Sequence, residues 1–257
     1  MKTKNQKPTR LLLPLLAFIF LVVVGVGYFV INPKIQEIRK FEEIKELTEK
    51  TSDPAYAKHG SQERDDIRKR LCLLMARPAN EREQAIEVIR DFLDKPTIEV
   101  KYACSDAFYS LDEDKLIPAK SETYTAGFDY FLVNPATNHI VEYGEQGDTW
   151  GYKEDGSRWF SERKQVDYTK RYSQKELEEI ATKFIQDKLS PLGITEFDHY
   201  KVETQTKNGT TYFFRWLLDG CSYGKDCKFF ELVYSAGGDL LRYDSNLEGE
   251  GGRVTSP

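Results

Sequence analysis

The clearest catalytic spacing in the chain is a serine between two glycines. Gly220, Ser222 and Gly224 fit the G-x-S-x-G pattern of a nucleophile elbow, in which a serine on a sharp strand-to-helix turn attacks an acyl group. That chemistry needs a helix after the serine and a base histidine later in the chain. The segment 228–233 is instead rich in strand-forming residues, and no histidine follows the serine. The pattern therefore does not predict a serine hydrolase.

Acidic residues cluster at two places where carboxylates could bind a cation or act on a glycosidic bond. Asp112, Glu113 and Asp114 are consecutive, but they lack the glycine and the distal glutamate of an EF-hand loop. Glu178 and Glu179 are adjacent on a predicted helix, so their side chains diverge and cannot flank a glycosidic bond. Both clusters are interpreted as solvated charge. The sequence predicts no catalytic residue, no metal site and no cofactor.

Aromatic residues in the segment 149–160 offer a different chemistry, which is stacking against a sugar ring. Asp155 and Gly156 separate two aromatic groups there, and a hairpin or an ordered loop is the default interpretation. An exposed platform would predict a module that binds cell-envelope glycans, but aromatics that cover the edge of a core are commoner. The platform candidates are Trp150, Tyr152, Trp159 and Phe160.

An uncharged apolar segment near the N-terminus predicts on which side of the membrane the rest of the chain lies. Leu11–Ile31 contains 21 consecutive residues without a charge, enough for a helix to cross the ~30 Å hydrocarbon core. Four basic and no acidic residues precede it in 1–10, so the positive-inside rule predicts a cytoplasmic N-terminus and an extracytoplasmic body. A signal peptide cleaved near Gly25–Gly27 is the alternative, although its apolar region should be about 7–15 residues long. We predict an uncleaved, single-pass signal anchor in the cell membrane.

The cysteines support an oxidising compartment. All four lie beyond the apolar segment, and an even number there predicts two disulfides. Three connectivities exist, and local pairing favours Cys72–Cys104 together with Cys221–Cys227. Buried free thiols are the alternative. Zinc is not predicted, because none of the three histidines has ligand spacing to another histidine or to a cysteine.

Composition and charge narrow the classes of function. The chain is 40% hydrophobic and 31% charged, which is typical of a folded globular body. Its formal net charge is −5, and the first ten residues contribute four positive charges, so the remainder is strongly acidic. An acidic body outside the cytoplasm argues against nucleic-acid binding.

Helical periodicity and turn signals predict an α+β body after the anchor. Apolar residues three apart predict a stalk helix at 34–50, either packed on its own domain or forming a short coiled coil. The stalk and a polar linker make up 32–62. Capping signals at Asn80–Glu83 and Ser173–Glu176, and an Asn208-Gly209 hairpin turn, mark later elements. Further helices are predicted at 63–76, 80–95 and 174–189, and strands at 98–104, 122–131, 132–133, 140–143, 200–206, 211–218, 228–234 and 240–243.

The two halves of the body resemble each other in sequence. Residues 85–93 align with 177–185, and each of these helices has a capping signal just ahead of it. Residues 130–143 align with 230–243, so that Leu132 matches Leu232 and the other hairpin matches are also 100 positions apart. The alignment predicts two copies of one helix followed by an antiparallel meander.

A helix followed by such a meander resembles the PepSY domain, whose closing hairpin commonly follows a V-D-x-x-T-G-x-V pattern. Residues 132–140 are similar to that pattern, with Asn134 in place of the aspartate and Asn138 in place of the glycine. Residues 233–240 match it more loosely. The resemblance implies a non-enzymatic extracytoplasmic module that often accompanies peptidases and is proposed to inhibit or chaperone them. It transfers no functional residue, because its recurring positions are turn and core residues.

The sequence therefore predicts an α+β protein with an N-terminal transmembrane helix and two PepSY-like modules. The modules are placed at 63–168 and 169–247, before a disordered tail at 248–257. The predicted function is non-enzymatic binding of a protein or peptide partner, such as a peptidase, at the cell surface. Docking on a sheet edge or face is expected, because strand addition needs only backbone groups. Binding of envelope glycans is the alternative function.

Overall fold

The computed structural model describes residues 33–52, 61–145, 150–152, 158–160, 165–221 and 227–247. The chain divides into two units, Met1–Gly60 and Ser61–Pro257, which are described separately. In the first unit residues 33–52 form helix α1, so the predicted helix at 34–50 is confirmed. Among the described residues no helix is both long and apolar enough to cross a membrane. The predicted N-terminal tail, anchor and C-terminal tail lie outside these residues.

The second unit contains three helices and twelve strands among its described residues. The helices are α2 (Ser61–Met75), α3 (Ala79–Phe92) and α4 (Gln174–Asp187), with a short 3-10 helix at Phe197–His199. The strands are β1 (Val100–Ser105), β2 (Phe108–Ser110), β3 (Lys115–Ile117), β4 (Glu122–Ala126), β5 (Asp129–Val133), β6 (Ile140–Glu145), β7 (Trp150–Tyr152), β8 (Arg158–Phe160), β9 (Tyr200–Lys207), β10 (Thr211–Leu218), β11 (Phe229–Ser235) and β12 (Leu240–Ser245).

Eight strands form one antiparallel sheet, and the predicted α+β class is confirmed. Its strand order is β1-β4-β5-β6-β12-β11-β10-β9. Helices α3 and α4 contribute the fully buried residues Ile89, Leu177 and Ile185 to the same cluster as alternate residues of the strands. Because alternate residues of a strand point to one face, both helices cover that face of the sheet. The other face is free of α3 and α4.

The sheet consists of two halves with the same element order. Helix α3 precedes β1, β4, β5 and β6, with the small hairpin β2–β3 inserted, and helix α4 precedes β9 to β12. The halves join through their last strands, where Tyr143 is the register partner of Tyr243. In the same seam Glu142 pairs with Asp244, and Gly144 pairs with Arg242. Residue 142 thus pairs with 244 just as its equivalent, 242, pairs with 144. This reciprocal pairing is expected around an approximate two-fold axis that passes between the two tyrosines.

A β-bulge lies at the same place in both halves. Val141 has no register partner in β5, and Leu241 has none in β11. Aligning the bulges makes Leu132 correspond to Val233 and not to Leu232. The predicted offset of 100 therefore holds for β6 and β12 but is wrong by one residue for β5 and β11. The reason is that the second hairpin turn is one residue shorter than the first.

Three local predictions are wrong. The segment 122–131 is two strands, because Gly127, at a φ of 61°, turns the chain between β4 and β5. No strand is predicted between 104 and 122, where the polar stretch 105–121 contains the hairpin β2–β3. Helix α3 is preceded by Pro78 and has no side-chain cap, so the capping signal predicted at Asn80 is not used.

Two local signals are confirmed. Helix α4 begins with a capping box in which the Ser173 hydroxyl accepts from the Glu176 N–H and the Glu176 carboxylate accepts from the Ser173 N–H. Between β9 and β10, Asn208 and Gly209 have φ values of 56° and 67°. Positive φ at both central residues is what the Asn-Gly hairpin turn requires.

A buried ion pair ties the junction of α2 and α3 to the sheet. Arg77 donates to both carboxylate oxygens of the fully buried Glu122, at 2.9 and 2.7 Å. The Tyr124 hydroxyl also donates to Glu122 at 2.7 Å, and burial raises the pKa of Tyr124. Arg77 reaches the β5–β6 turn as well, donating to the Pro135 carbonyl at 2.5 Å and to Asn138 at 3.0 Å. One guanidinium therefore joins a helix junction, a strand and a turn.

Candidate binding site on the second half of the sheet

Strand β9 forms one end of the eight-stranded sheet. It pairs with β10 along all eight of its residues, and no described strand lies on its other side. All its side chains are exposed except those of Tyr200 and Thr204, which are half-buried. Every second residue of such a strand presents its backbone N–H and C=O groups outward. With respect to the described residues the edge is therefore open over ~27 Å, at about 3.4 Å per residue.

The opposite end of the sheet is covered. Cys104 of β1 is disulfide-bonded to Cys72 of α2, and the Tyr102 hydroxyl donates to the Cys72 carbonyl at 3.4 Å. Burial raises the pKa of Tyr102 to about 12, so this hydroxyl keeps its proton. Strand β7 also contacts β1. The two halves thus differ at equivalent edges, since β1 is covered and β9 is open.

The face opposite α3 and α4 carries a row of charged residues in register across five strands. Glu142 pairs with Asp244, Asp244 with Glu231, Glu231 with Arg215, and Arg215 with Glu203. Neighbours in this row are separated by one strand spacing of about 4.8 Å. Glu231 and Asp244 are only 2% and 8% exposed. Whether each of these carboxylates has a counter-charge therefore matters for the stability of the fold, because an unpaired buried charge is strongly unfavourable.

The two buried carboxylates of this row have different environments. Glu231 accepts from Nη2 of Arg215 and from Nη2 of Arg242, the latter at 2.5 Å. Asp244 has a buried Oδ1 that accepts no hydrogen bond from any described residue. Burial and the neighbouring Glu142 and Glu231 raise the pKa of Asp244 to about 7, against the opposing effect of Arg242. Asp244 therefore titrates near neutral pH.

A groove of about 350 Å³ lies on the same face, beside the β9–β10 turn. Its apolar floor is formed by Phe213, Val233 and Leu241, one from each of β10, β11 and β12. Lys207 at the end of β9 and Arg242 on β12 bring positive charge to its two sides. The remaining described residues of the lining carry hydroxyl or amide groups; they are Tyr168, Asn208, Thr210 and Thr211.

Two local features shape this groove. The β-bulge in β12 allows two consecutive residues, Leu241 and Arg242, to line it together. The segment that bears Tyr168 is held at the β11–β12 turn, because the Asp167 N–H donates to Oδ2 of Asp239 at 2.8 Å. Both features belong to the second half of the sheet.

The equivalent positions in the first half have a different chemistry. Arg242 corresponds to Glu142, which accepts a hydrogen bond from the Tyr130 hydroxyl. Phe213, the register partner of Val233, corresponds to Thr123, the partner of Leu132. A carboxylate and a threonine thus replace the guanidinium and the phenyl ring. The cationic groove with an apolar floor is specific to the second half.

The predicted disulfides are both present, as Cys72–Cys104 and Cys221–Cys227. The first joins α2 to the covered edge of the sheet, and the second closes a short loop between β10 and β11. The alternative of buried free thiols is therefore wrong.

The four aromatic candidates lie on the predicted hairpin, which is formed by β7 and β8. In its register Trp150 pairs with Phe160, Tyr152 pairs with Arg158, and Trp159 pairs with Gly151. Their side chains lie outside the described part of the structure. The hairpin is confirmed, and the sugar-stacking platform stays a prediction.

The rejected acidic triplet and the first glycine of the serine pattern lie in turns, whereas Glu178 and Glu179 lie on helix α4. Gly220, at a φ of 81°, follows β10, and the next described element is strand β11; Ser222 itself is outside the described residues. Asp112, Glu113 and Asp114 connect β2 to β3, and the Tyr109 hydroxyl donates to Asp114. Among the described residues no group of three or more His, Cys, Asp or Glu could hold a metal ion.

The sequence patterns did not predict the charged row or the groove. Arg215 stands between the buried Phe214 and Trp216 on β10, and Glu231 stands between Phe230 and Leu232 on β11. This alternation is enough to assign Arg215 and Glu231 to the face away from the helices. Their pairing depends on the register between strands and on the order in which the halves join.

No protein-family model, curated protein or solved structure matches this chain. The PepSY resemblance therefore stays a prediction from the hairpin patterns and the repeat. Function has to be inferred from the open edge, the charged row and the groove.

Proposed function

We propose that this chain is a non-enzymatic, membrane-anchored binding module that captures an extended segment of a protein partner outside the cytoplasm. The observation that carries the proposal is the open edge of β9, eight residues long and mostly exposed, opposite an edge that is covered. Strand addition to such an edge takes its affinity from backbone hydrogen bonds and needs no special side chains. Binding of this kind is consistent with a sequence that predicts no set of catalytic residues.

The side chains of β9 limit non-specific pairing while leaving the backbone accessible. Lys201, Glu203 and Lys207 are exposed along the strand, and charges of this kind discourage self-association of sheet edges. Val202 and Thr206 alternate with them. A partner that adds as a strand must therefore place opposite charges or polar groups beside these residues.

Two independent features support an extracytoplasmic location for the proposed module. The basic residues in 1–10 before the apolar 11–31 favour an extracytoplasmic body, and both disulfides are of the kind that persists in oxidising compartments. The PepSY resemblance implies a peptidase as one class of partner. Regulation of such an enzyme is the most specific form of the proposal.

Proline substitutions on β9 test strand capture directly. Consecutive residues direct their N–H groups to opposite sides, so one of Thr204→Pro and Gln205→Pro removes an outward donor while the other removes a bond to β10. The outward variant should keep the melting temperature within about 2 °C and lose partner capture. Thr204→Ala and Gln205→Ala are the matched controls.

Partner capture is measured by photo-crosslinking of the full chain, in nanodiscs, to its own envelope fraction. The crosslinking residue replaces Glu203 on β9 or, as a control, Lys175 on the solvent face of α4. We expect saturable crosslinks from position 203 to one recurrent segment, and competition by a synthetic peptide of that segment. Equal capture from both positions, or undiminished capture by the folded outward proline variant, would overturn strand addition.

Envelope glycan binding is the second candidate, favoured by the β7–β8 hairpin that places Trp150 opposite Phe160. Replacing Trp150 and Trp159 by alanine should then abolish retention of the full chain on cell-wall material without lowering the melting temperature. Retention that survives both substitutions would remove this candidate.

A further inference from the structure

We propose that the groove beside the β9–β10 turn is a second ligand site, which binds an acidic peptide terminus through two carboxylates and the apolar side chains between them. The inference rests on the proposed function only in taking a peptide as the ligand. It uses the helix-free face of the sheet, whereas strand capture uses the outer edge of β9.

The first cation of the groove has unused hydrogen-bond donors. Among the described residues Arg242 donates to Glu231 alone, through Nη2, and its side chain is 34% exposed. A guanidinium carries five N–H donors in a planar fork that matches a carboxylate. Glu231 also binds Arg215, so Arg242 is not the sole counter-charge of that carboxylate.

The second cation of the groove has no competing partner in the part of the chain that the structure describes. Lys207 is exposed at the end of β9 and forms no ion pair with a described residue. By register it lies three strands and two residues away from Arg242. These steps separate the two Cα positions by about 16 Å, at 4.8 Å per strand and 3.4 Å per residue.

This separation favours a ligand with two carboxylates. Two carboxylates at about this spacing would meet one cation each, whereas a single head group could meet both only if the two long side chains turned toward each other. An extended peptide covers about 3.4 Å per residue. A terminal carboxylate on Arg242 and an acidic side chain about three residues earlier on Lys207 therefore span the groove.

The floor and rim of the groove suit the middle of such a peptide. Phe213, Val233 and Leu241 present apolar surface between the cations. Thr210 and Thr211 offer groups that can hydrogen-bond to a peptide backbone at the rim. A volume of about 350 Å³ is within the range of small-ligand sites. The expected ligand ends in acidic, small, apolar, apolar residues with a free carboxylate.

The test is fluorescence anisotropy with the full chain in nanodiscs. The probe is fluorescein-labelled Glu-Gly-Leu-Leu with a free C-terminus, and the matched probes carry a C-terminal amide or glutamine in place of glutamate. We expect saturable binding of the first probe and at least fivefold weaker binding of each matched probe, because each loses one charged contact. Raising the salt concentration should weaken binding further.

Variants of the chain test whether the probe binds in the groove or elsewhere on the sheet. Lys207→Ala, at an exposed position, should weaken probe binding at least threefold, and Arg242→Gln at least tenfold. Lys201→Ala is the matched control on the same strand, since Lys201 pairs with Asp219 outside the groove, and should stay within twofold. The proline variant that abolishes strand capture should leave probe binding unchanged, so the two proposals fail separately.

Three results would overturn the proposal. The first is absence of saturable binding by the free-acid probe, and the second is equal binding of the amidated probe. The third is displacement of the probe by dodecanoate at an affinity equal to its own, since that result would assign the groove to a lipid.

Discussion

Asp244 shows how one buried carboxyl can set the pH dependence of stability. Its side chain lies between Glu142 on β6 and Glu231 on β11, with Arg242 two residues before it on β12. Burial raises its pKa to about 7 in the folded state, whereas the ordinary value is 3.8. The folded protein therefore binds a proton that the unfolded chain has lost between these two values.

Stability should fall as the pH rises toward and through 7. Each pKa unit corresponds to about 1.4 kcal/mol, so the Asp244 contribution to the free energy of unfolding decreases by about 2–3 kcal/mol between pH 5 and pH 8. Urea denaturation at both pH values measures the loss. Asp244→Asn should remove this part of the pH dependence and be the more stable protein at pH 8.

Glu142→Gln is the companion variant for this prediction. Removing the neighbouring carboxylate should lower the pKa of Asp244 in the folded protein. The pH range over which stability is lost should then end at a lower pH. A difference between wild type and Asp244→Asn that is the same at pH 5 and pH 8 would contradict the assignment.

Glu122 gives a second prediction for single residues. Glu122→Ala leaves the Arg77 guanidinium without its buried counter-charge and the Tyr124 hydroxyl without its acceptor, so we expect a loss of about 3–5 kcal/mol. Lys183→Ala, which removes an exposed pair with Asp187, should change stability by about 0.5 kcal/mol or less. Urea denaturation compares the two, and similar values would argue against a structural role for the buried pair.

At the scale of elements, the covered edge depends on the bond between α2 and β1. Cys72 and Cys104 are 32 residues apart, and closing a loop of that length stabilises by about 3–4 kcal/mol in the chain-entropy model. In the double serine variant the free energy of unfolding should fall by about this amount, and the amide hydrogens of β1 should exchange faster. The Cys221–Cys227 loop is shorter, so its double variant should lose only about 2 kcal/mol and leave β1 unaffected.

Most elements could be predicted from local patterns, because their signals act within a few residues. The capping box at Ser173 and the Asn208-Gly209 turn specify one helix start and one hairpin without reference to the rest of the chain. The split of 122–131 was missed since Gly127 stands inside a run that also fits one strand. A single glycine is weak evidence against a strong strand pattern.

The candidate site could not be predicted in the same way. The groove needs Lys207 from β9 and Arg242 from β12, which are 35 positions apart in sequence and meet only through three strand registers. The β-bulge at Leu241 also depends on the length of the preceding turn. Neither registers nor bulges are encoded by a motif that one sequence reveals.

At the scale of the whole second unit, the two halves share one core. Phe92 of α3 meets Phe184 of α4 at a ring-centroid distance of 5.3 Å, and it also contacts Tyr143 at the seam. Lys188, which follows α4, is buried and donates to the Asp91 carbonyl at 2.6 Å. Helices and strands of both halves therefore lose contacts together when either half opens.

This shared core predicts a single cooperative unfolding transition for the residues from 61 onward. Tyr243→Ala removes a fully buried ring at the approximate two-fold axis, so it should cost about 3–5 kcal/mol. Hydrogen exchange of the full chain should show the same loss in β5 of the first half and β10 of the second. Val202→Ala, on the exposed edge, should change neither by more than about 0.5 kcal/mol. If exchange accelerates in only one half, the halves are separate folding units, and the seam between β6 and β12 joins them without coupling their stability.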